Sequence, residues 1–299
     1  MRTTIHYAWI ILFAAFFAIL AVQGLRLSFG AFIEPWEEAF AADRSTLSLI
    51  SMVSFVIYGV SQPIIGRLID RYGVRLILTA STAVTGISMM LIYFAASVWH
   101  ILILFSIVAS VGFGGASNVA ASVAITNWFK KKKGLAFGLV EAGFAGGQML
   151  LVPASLLLIQ WVGWRDTVVI LGLFTVAVVA PVAWLLIRTS PRDKGMRPYG
   201  EAAGQIAAAA AADGSGAHPA GEKSAILPFR QMIATRKFWF VILPFFVCGV
   251  TTTGLMDTHL IPYAHSHGFS TDTTAAAVSV LAAFNIVGTL LSGAVADRF

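Results

Sequence analysis

Long apolar runs separated by short polar segments organise the chain from one end to the other. Each run approaches the roughly 20 residues that an α-helix needs to cross the hydrocarbon of a bilayer. They predict helix 1 at Tyr7 to Ile33, helix 2 at Ser45 to Leu68, helix 3 at Val74 to Ala95 and helix 4 at Trp99 to Trp128. Helix 5 follows at Gly134 to Trp161, helix 6 at Arg165 to Ile187, helix 7 at Phe238 to Tyr263 and helix 8 at Thr274 to Ala294. The first run is much longer than a signal-peptide core of about 7 to 15 residues, so it reads as an uncleaved first helix.

The polar positions between the runs are sorted by charge. Arg67, Arg71 and Arg75 follow helix 2, Lys130 to Lys133 follow helix 4, and Arg188, Arg192, Lys194 and Arg197 follow helix 6. The odd-numbered connections carry Glu34, Glu37, Glu38 and Asp43, then almost no charge, then His265, His267 and Asp272. The positive-inside rule places the basic side in the cytoplasm. A multi-pass protein of a cell membrane with a cytoplasmic N-terminus is therefore expected. Composition agrees: 58% of the residues are hydrophobic and only 11% charged, against about a quarter charged in a soluble domain. The net charge of +6 and the run Lys130 to Lys133 are explained by this topology, and no nucleic-acid partner is expected. The single cysteine, Cys248, has no internal partner for a disulfide.

From Thr189 to Lys237 the composition shifts to Gly, Ala, Pro and charge, with a low-complexity stretch at Ala207 to Ala212. It reads as a flexible cytoplasmic linker over 189–237 between a six-helix bundle, 1–188, and the start of a second bundle, 238–299. The last part of the linker, Ile226 to Lys237, mixes apolar and basic residues as an interfacial amphipathic helix does. A repeat supports the division: Gly66, Asp70 and Arg71 at the end of helix 2 recur 227 residues later as Gly293, Asp297 and Arg298 at the end of helix 8. Parallel repeats with a site between two halves are a common plan of secondary transporters. By that repeat, helices 9 to 12 are expected to be missing and the chain to be a fragment or a truncated product.

The segment Gly66-Arg67-Leu68-Ile69-Asp70-Arg71-Tyr72-Gly73-Val74-Arg75 resembles the signature loop of the major facilitator superfamily, with Val74 where a basic residue is commoner and Arg75 keeping the next basic position. Ser28 to Phe32 with Pro35-Trp36, Asn127-Trp128-Phe129 with Gly134 to Gly138, Gly163-Trp164-Arg165, Ser190-Pro191, and Gly249 to Pro262 are similar to bacterial monocarboxylate transporters within that superfamily. The resemblance implies an all-α, polytopic fold and a transporter rather than an enzyme. It also implies a small-molecule carboxylate substrate, protons as coupling ion, a lipid bilayer as environment, no cofactor, and Gly66, Asp70, Arg71, Gly73, Arg75, Gly293, Asp297 and Arg298 as conformational-gating positions. Helix 1 lacks the acidic, glycine-rich pattern and the lysine of the eukaryotic members, so proton coupling does not transfer residue by residue. The paired Asp motifs or zinc-binding His pair of an intramembrane enzyme are not found, another organic anion or a drug remains an alternative cargo, and a membrane scaffold or sensor is the non-transport alternative.

Ionisable side chains at membrane depth are costly and usually face a cavity. Arg26 lies about 9 Å past the middle of helix 1 at 1.5 Å per residue, where a guanidinium can bind a carboxylate with two prongs. The alternative is snorkelling to the surface or a structural ion pair. Asp257, at similar depth in helix 7, is the candidate protonatable partner, assisted by His259; a plain ion pair is the alternative. Asn118, Gln148 and Asn285 either line the route or bond neighbouring helices, and Glu141, eight residues into helix 5 and nearer the basic mouth, is a weaker candidate for a proton site than Asp257. Glycines of helices 4 and 5 read as close-packing faces. His259, His265 and His267 lack the thiolates or clustered carboxylates of a metal site, so no metal is expected.

Overall fold

The computed structural model describes residues 6–201 and 234–298, and the low-complexity stretch and residues 226–233 of the amphipathic segment of the linker lie outside them. Seven helical stretches are long and apolar enough to cross a membrane: Tyr7–Phe40, Arg44–Tyr72, Val74–Phe94, Val98–Trp128, Lys133–Leu186, Phe238–Ser266 and Thr271–Ala296. Lys133–Leu186 has 54 residues, too many for one pass. It is two helices joined at Gly163, whose φ of 83° and ψ of 166° reverse the chain in one residue. A side chain is strained at that φ, so glycine makes the turn. Helices 5 and 6 are thus residues 133–162 and 164–186, and the described residues make eight passes.

Side-chain contacts show the alternation of direction. On one face Tyr7 Oη donates to Leu186 O (2.8 Å) and Trp128 Nε1 donates to Arg188 O (2.9 Å), which joins the start of helix 1 to the ends of helices 4 and 6. On the other, Trp36 lies edge-on to Trp164 at 6.5 Å, and Arg165 Nη2 donates to Ala95 O at 3.4 Å. The first face carries the basic clusters and is called the basic face below. Large apolar side chains such as Phe94, Ile103, Leu173 and Leu185 point outward, the ordinary condition of a surface solvated by lipid.

Three departures from the expected boundaries have local causes. Helix 1 does not stop near Ile33: it pauses at Ser28, where both the amide and Oγ bond to Gly24 O (3.0 and 2.8 Å), and continues over Phe29–Phe40. Helix 2 runs on to Tyr72, so Gly66, Asp70 and Arg71 lie within its last turns rather than in a loop, and the chain turns only at Gly73, φ 85°. The linker is not free from its beginning. Residues 190–201 cross the basic face as a strap, with Tyr199 N donating to Trp128 O (2.8 Å) and Lys130 N to Tyr199 O (2.9 Å).

The core forms at two levels and a seam. Near the basic face Ile69, Val74, Trp128 and Phe129 are buried together; near the opposite face Phe32, Trp36, Ile50 and Phe113 are. Leu27, Val152 and Leu156 meet Ile261 and Val278 in the seam between the six-helix bundle and helices 7 and 8. Helices 4 and 7 are interrupted: helix 4 breaks at Ala116 and restarts at Asn118 after the Ser117 cap, and helix 7 contains a π-helical segment, Gly249–Met256, that ends at Asp257. Such irregular turns recur at functional sites.

A candidate substrate and coupling site between helices 1 and 7

Arg26, 9% exposed, occupies the last turn before the pause in helix 1. Its guanidinium stacks over the rings of Tyr58 and Phe55, with Cζ 4.1 and 4.8 Å from their centroids. Nη1 makes a long hydrogen bond to Gln23 Oε1 (3.4 Å), and Nε is buried without a hydrogen-bond partner. Gln23 is held in turn: its Nε2 donates to Phe113 O (3.1 Å) and Ala116 O (2.9 Å), at the break in helix 4. An arginine carries five N–H donors in a fixed fork, so the aromatic platform fixes this one while leaving most of its donors unused.

Arg26 lines a small cavity with Ser51, Ser54, Phe55, Phe105 and Asp257. Asp257 is half-buried, and its Oδ1 accepts from Gln148 Nε2 at 2.8 Å. No ion pair within 4.0 Å joins Asp257 to Arg26; the two residues line the same cavity. Its volume of about 20 Å³ is room for about one water molecule and not for a carboxylate. On the side away from the basic face, Glu34 Oε2 and His265 Nδ1 are 2.8 Å apart, linking the ends of helices 1 and 7.

A second polar level lies nearer the basic face. Asn118 Nδ2 donates to Glu141 Oε1 at 2.6 Å, and Glu141 shares a cavity of about 480 Å³ with Asn285, Thr289 and Ser292 of helix 8. Beyond it the two carboxylate oxygens of Asp297 accept from the backbone N–H groups of Gly134 and Leu135, both at 2.7 Å. These are orphan donors of the first turn of helix 5, where the helix dipole also favours a negative charge. Here helices 5 and 8 touch through backbone: a Cβ on Gly134 would stand 2.5 Å from Gly293 O.

The earlier copy of this motif is arranged differently. Asp70 is exposed and its side chain makes no hydrogen bond among the described residues, Arg71 lies over the Tyr72 ring (5.3 Å), and Arg75 Nε donates to Trp184 O (2.9 Å) while its guanidinium covers the Trp184 ring. The residues singled out in the sequence therefore fall into groups. Arg26, Gln148 and Asp257 meet at one cavity; Asn118 and Asn285 meet Glu141 at the other; His259 is half-buried and lines neither.

Residues 11–299 match the family model described as the Major Facilitator Superfamily. The chain belongs to this superfamily. Members of the superfamily are transporters rather than enzymes, and the eight apolar helices make this one a multi-pass membrane protein. The MFS-type transporter YcxA of Bacillus subtilis (strain 168) is 27% identical over 99% of this chain and 67% of its own length. Monocarboxylate transporter 14 of Homo sapiens is 28% identical over 56% of this chain and 32% of its own length. Monocarboxylate transporter 11 of Homo sapiens is 24% identical over 98% and 57%. A bacterial homologue of the human lysosomal transporter Spinster, crystallised inward-facing and unoccupied, shares the fold. Its TM-score is 0.69 at 20% identity, covering 99% of this chain and 64% of that one. The chain thus spans about two thirds or less of the length of these superfamily members.

Several residues at the two cavities escaped the reading of the sequence. Gln23 lies three residues before Arg26, a spacing that puts both on one helix face, and was legible in principle. Phe55 and Tyr58 carry no such signal, because which aromatic of helix 2 faces helix 1 depends on packing.

Proposed function

We propose that this protein is a secondary active transporter that carries a small monocarboxylate together with a proton by alternating access. The observation that carries the reading is Arg26: a buried guanidinium, held on aromatic rings with unused donors, facing Asp257 across a cavity between helices 1 and 7. The printed names of two human relatives, monocarboxylate transporters 14 and 11, support the choice of substrate class.

The chemistry is a competition for one cation. An incoming carboxylate takes two-pronged bonds from Arg26 while Asp257 is protonated and neutral. When Asp257 loses its proton, its charge attracts Arg26 and weakens the hold on the substrate. Gln148 keeps Asp257 oriented in both forms, because an amide N–H donates to a carboxylate and to the carbonyl oxygen of the acid alike. His259, two residues beyond Asp257, is the candidate group that assists its protonation, and Asn285 lines the route towards the basic face. Gly293 and Asp297 with helix 5 form the latch that closes the basic face. Gly66, Asp70, Arg71, Gly73, Arg75 and Arg298 complete the gating set. The positive-inside rule orients the basic face, the N-terminus and the linker towards the cytoplasm of a bacterial inner membrane, with residues 1–188 and 238–299 moving as parts of opposite halves.

The test is uptake of labelled lactate, pyruvate and related acids by cells producing the full-length protein, with and without an imposed pH gradient. Accumulation driven by the gradient is expected. No accumulation of any of these acids, with the protein present in the membrane, removes the monocarboxylate reading; accumulation only against a preloaded internal anion replaces symport by exchange.

A further inference from the structure

One face of helix 5 takes part in two carboxylate stations, through the amide of Gln148 at Asp257 of helix 7 and through the carboxylate of Glu141 itself, and the transport reading above uses only the first. Gln148, which holds Asp257, and Glu141 are seven residues apart, two turns and about 10.5 Å along the same side of the helix. Each station has the same construction: a carboxylate held by a neutral side-chain amide, Gln148 Nε2 on Asp257 at 2.8 Å and Asn118 Nδ2 on Glu141 at 2.6 Å.

Glu141 has no structural task that would need a fixed charge. Among the described residues no basic side chain lies within 4.0 Å of it. The polar groups around it are Asn118 of helix 4 and Asn285, Thr289 and Ser292 of helix 8. The other charged groups along this line are Asp297, engaged with the N-terminus of helix 5, and Asp257 beyond Gln148. The amide of Asn118 bonds either protonation state, and the groove of about 480 Å³ between helices 5 and 8 is open enough to admit water to Glu141. The break in helix 4 that frees carbonyls for Gln23 also starts the new helix at Asn118, so one interruption positions a support for each station.

We propose that Glu141 is a second proton-binding residue, the inner station from which the coupled proton leaves on the basic side. This rests on the proton-coupled reading of the Arg26 and Asp257 site. The protonated carboxyl of Asp257 gives its proton through water to the carboxylate of Glu141, leaving Asp257 ionised and Glu141 neutral. Ionised Asp257 then competes for Arg26 and the substrate is freed. When the Asp297 latch opens, Glu141 releases the proton to water on that side and returns to its carboxylate. One proton and one anion cross per cycle, and no other reactant is consumed.

The experiment compares two modes of the full-length protein in proteoliposomes: accumulation of labelled carboxylate driven by a proton gradient, and one-for-one exchange of labelled for unlabelled carboxylate at equal pH. Exchange requires no net proton release. In Glu141→Gln, gradient-driven accumulation is expected to be lost while exchange is retained, and Glu141→Asp is expected to restore accumulation. Normal accumulation by Glu141→Gln overturns the proposal. So does loss of both modes in the Gln and Asp variants at normal abundance, which makes Glu141 structural. Failure of the unaltered protein to accumulate any carboxylate under a gradient, by contrast, overturns the transport reading and the second station with it.

Discussion

Glu34 and His265, 231 residues apart in the chain, stand 2.8 Å from one another and join the end of helix 1 to the end of helix 7. Glu37 and Arg44 form a separate pair beside them at 3.0 Å. The small cavity at Arg26 is thus clasped on one side by Glu34 and His265 and on the other by Asp297 and helix 5. Opening towards either side requires one of these links to break.

Removing the first link is expected to favour opening away from the basic face. Partly exposed pairs of this kind contribute about 0.2–1 kcal/mol, roughly a 1.4- to 5-fold change in an equilibrium. In a Ser51→Cys background, Glu34→Gln should raise the rate of modification by an impermeant thiol reagent by that factor. An unchanged rate would mean that the pair does not hold this side closed.

Removing the second link is expected to do the opposite. Asp297→Ala deletes two hydrogen bonds to the helix 5 N-terminus, and loss of such a cap costs about 0.5–2 kcal/mol. The corresponding shift is roughly 2- to 30-fold towards opening at the basic face, measured as modification of Asn285→Cys in inside-out vesicles. Gly134→Ala should act in the same direction, because its Cβ would press on Gly293 O.

At the site, Arg26→Gln is expected to abolish carboxylate uptake with membrane abundance unchanged. Arg26→Lys keeps the charge but loses the planar fork and the stacking on Tyr58 and Phe55, and should retain only weak uptake with a raised KM. Full activity in the Gln variant would remove Arg26 from the mechanism.

Asp257→Asn keeps the size and the contact with Gln148 and removes the titrating group. Uptake by this variant is expected to be indifferent to an imposed pH gradient, while exchange at equal pH continues. Preserved stimulation by the gradient would place the coupling proton elsewhere.

The architecture was legible because the bilayer imposes a length on every apolar run, so eight passes followed from hydropathy alone. What hydropathy does not carry is the state of the backbone within a run. The pause at Ser28, the restart of helix 4 at Asn118 and the one-residue reversal at Gly163 leave the apolar content unchanged, and only the structure displays them. The same holds for the site. Arg26, Gln148 and Asp257 stood out as polar residues in apolar surroundings, yet their meeting depends on the rotation of helices 1, 5 and 7 about their axes. Glu141 looked peripheral when measured along the sequence; its bond to Asn118 comes from helix 4 lying beside helix 5. The flexible linker expected from Thr189 onwards begins as a fixed strap over residues 190–201, because Tyr199 supplies backbone bonds and an aromatic contact, ring to ring with Phe129 at 5.7 Å, that composition does not register.

The reversal at Gly163 has a practical corollary. Helices 5 and 6 are joined without a loop, and the other turns on that face, at Ala41 to Asp43, Ala95 to Ser97 and His267 to Ser270, are equally brief. Every lysine of the chain lies elsewhere, at 130–133, 194, 223 and 237. An amine-reactive dye applied to that face finds no lysine among the described residues, whereas on the basic side it meets Lys130 to Lys133 and Lys194.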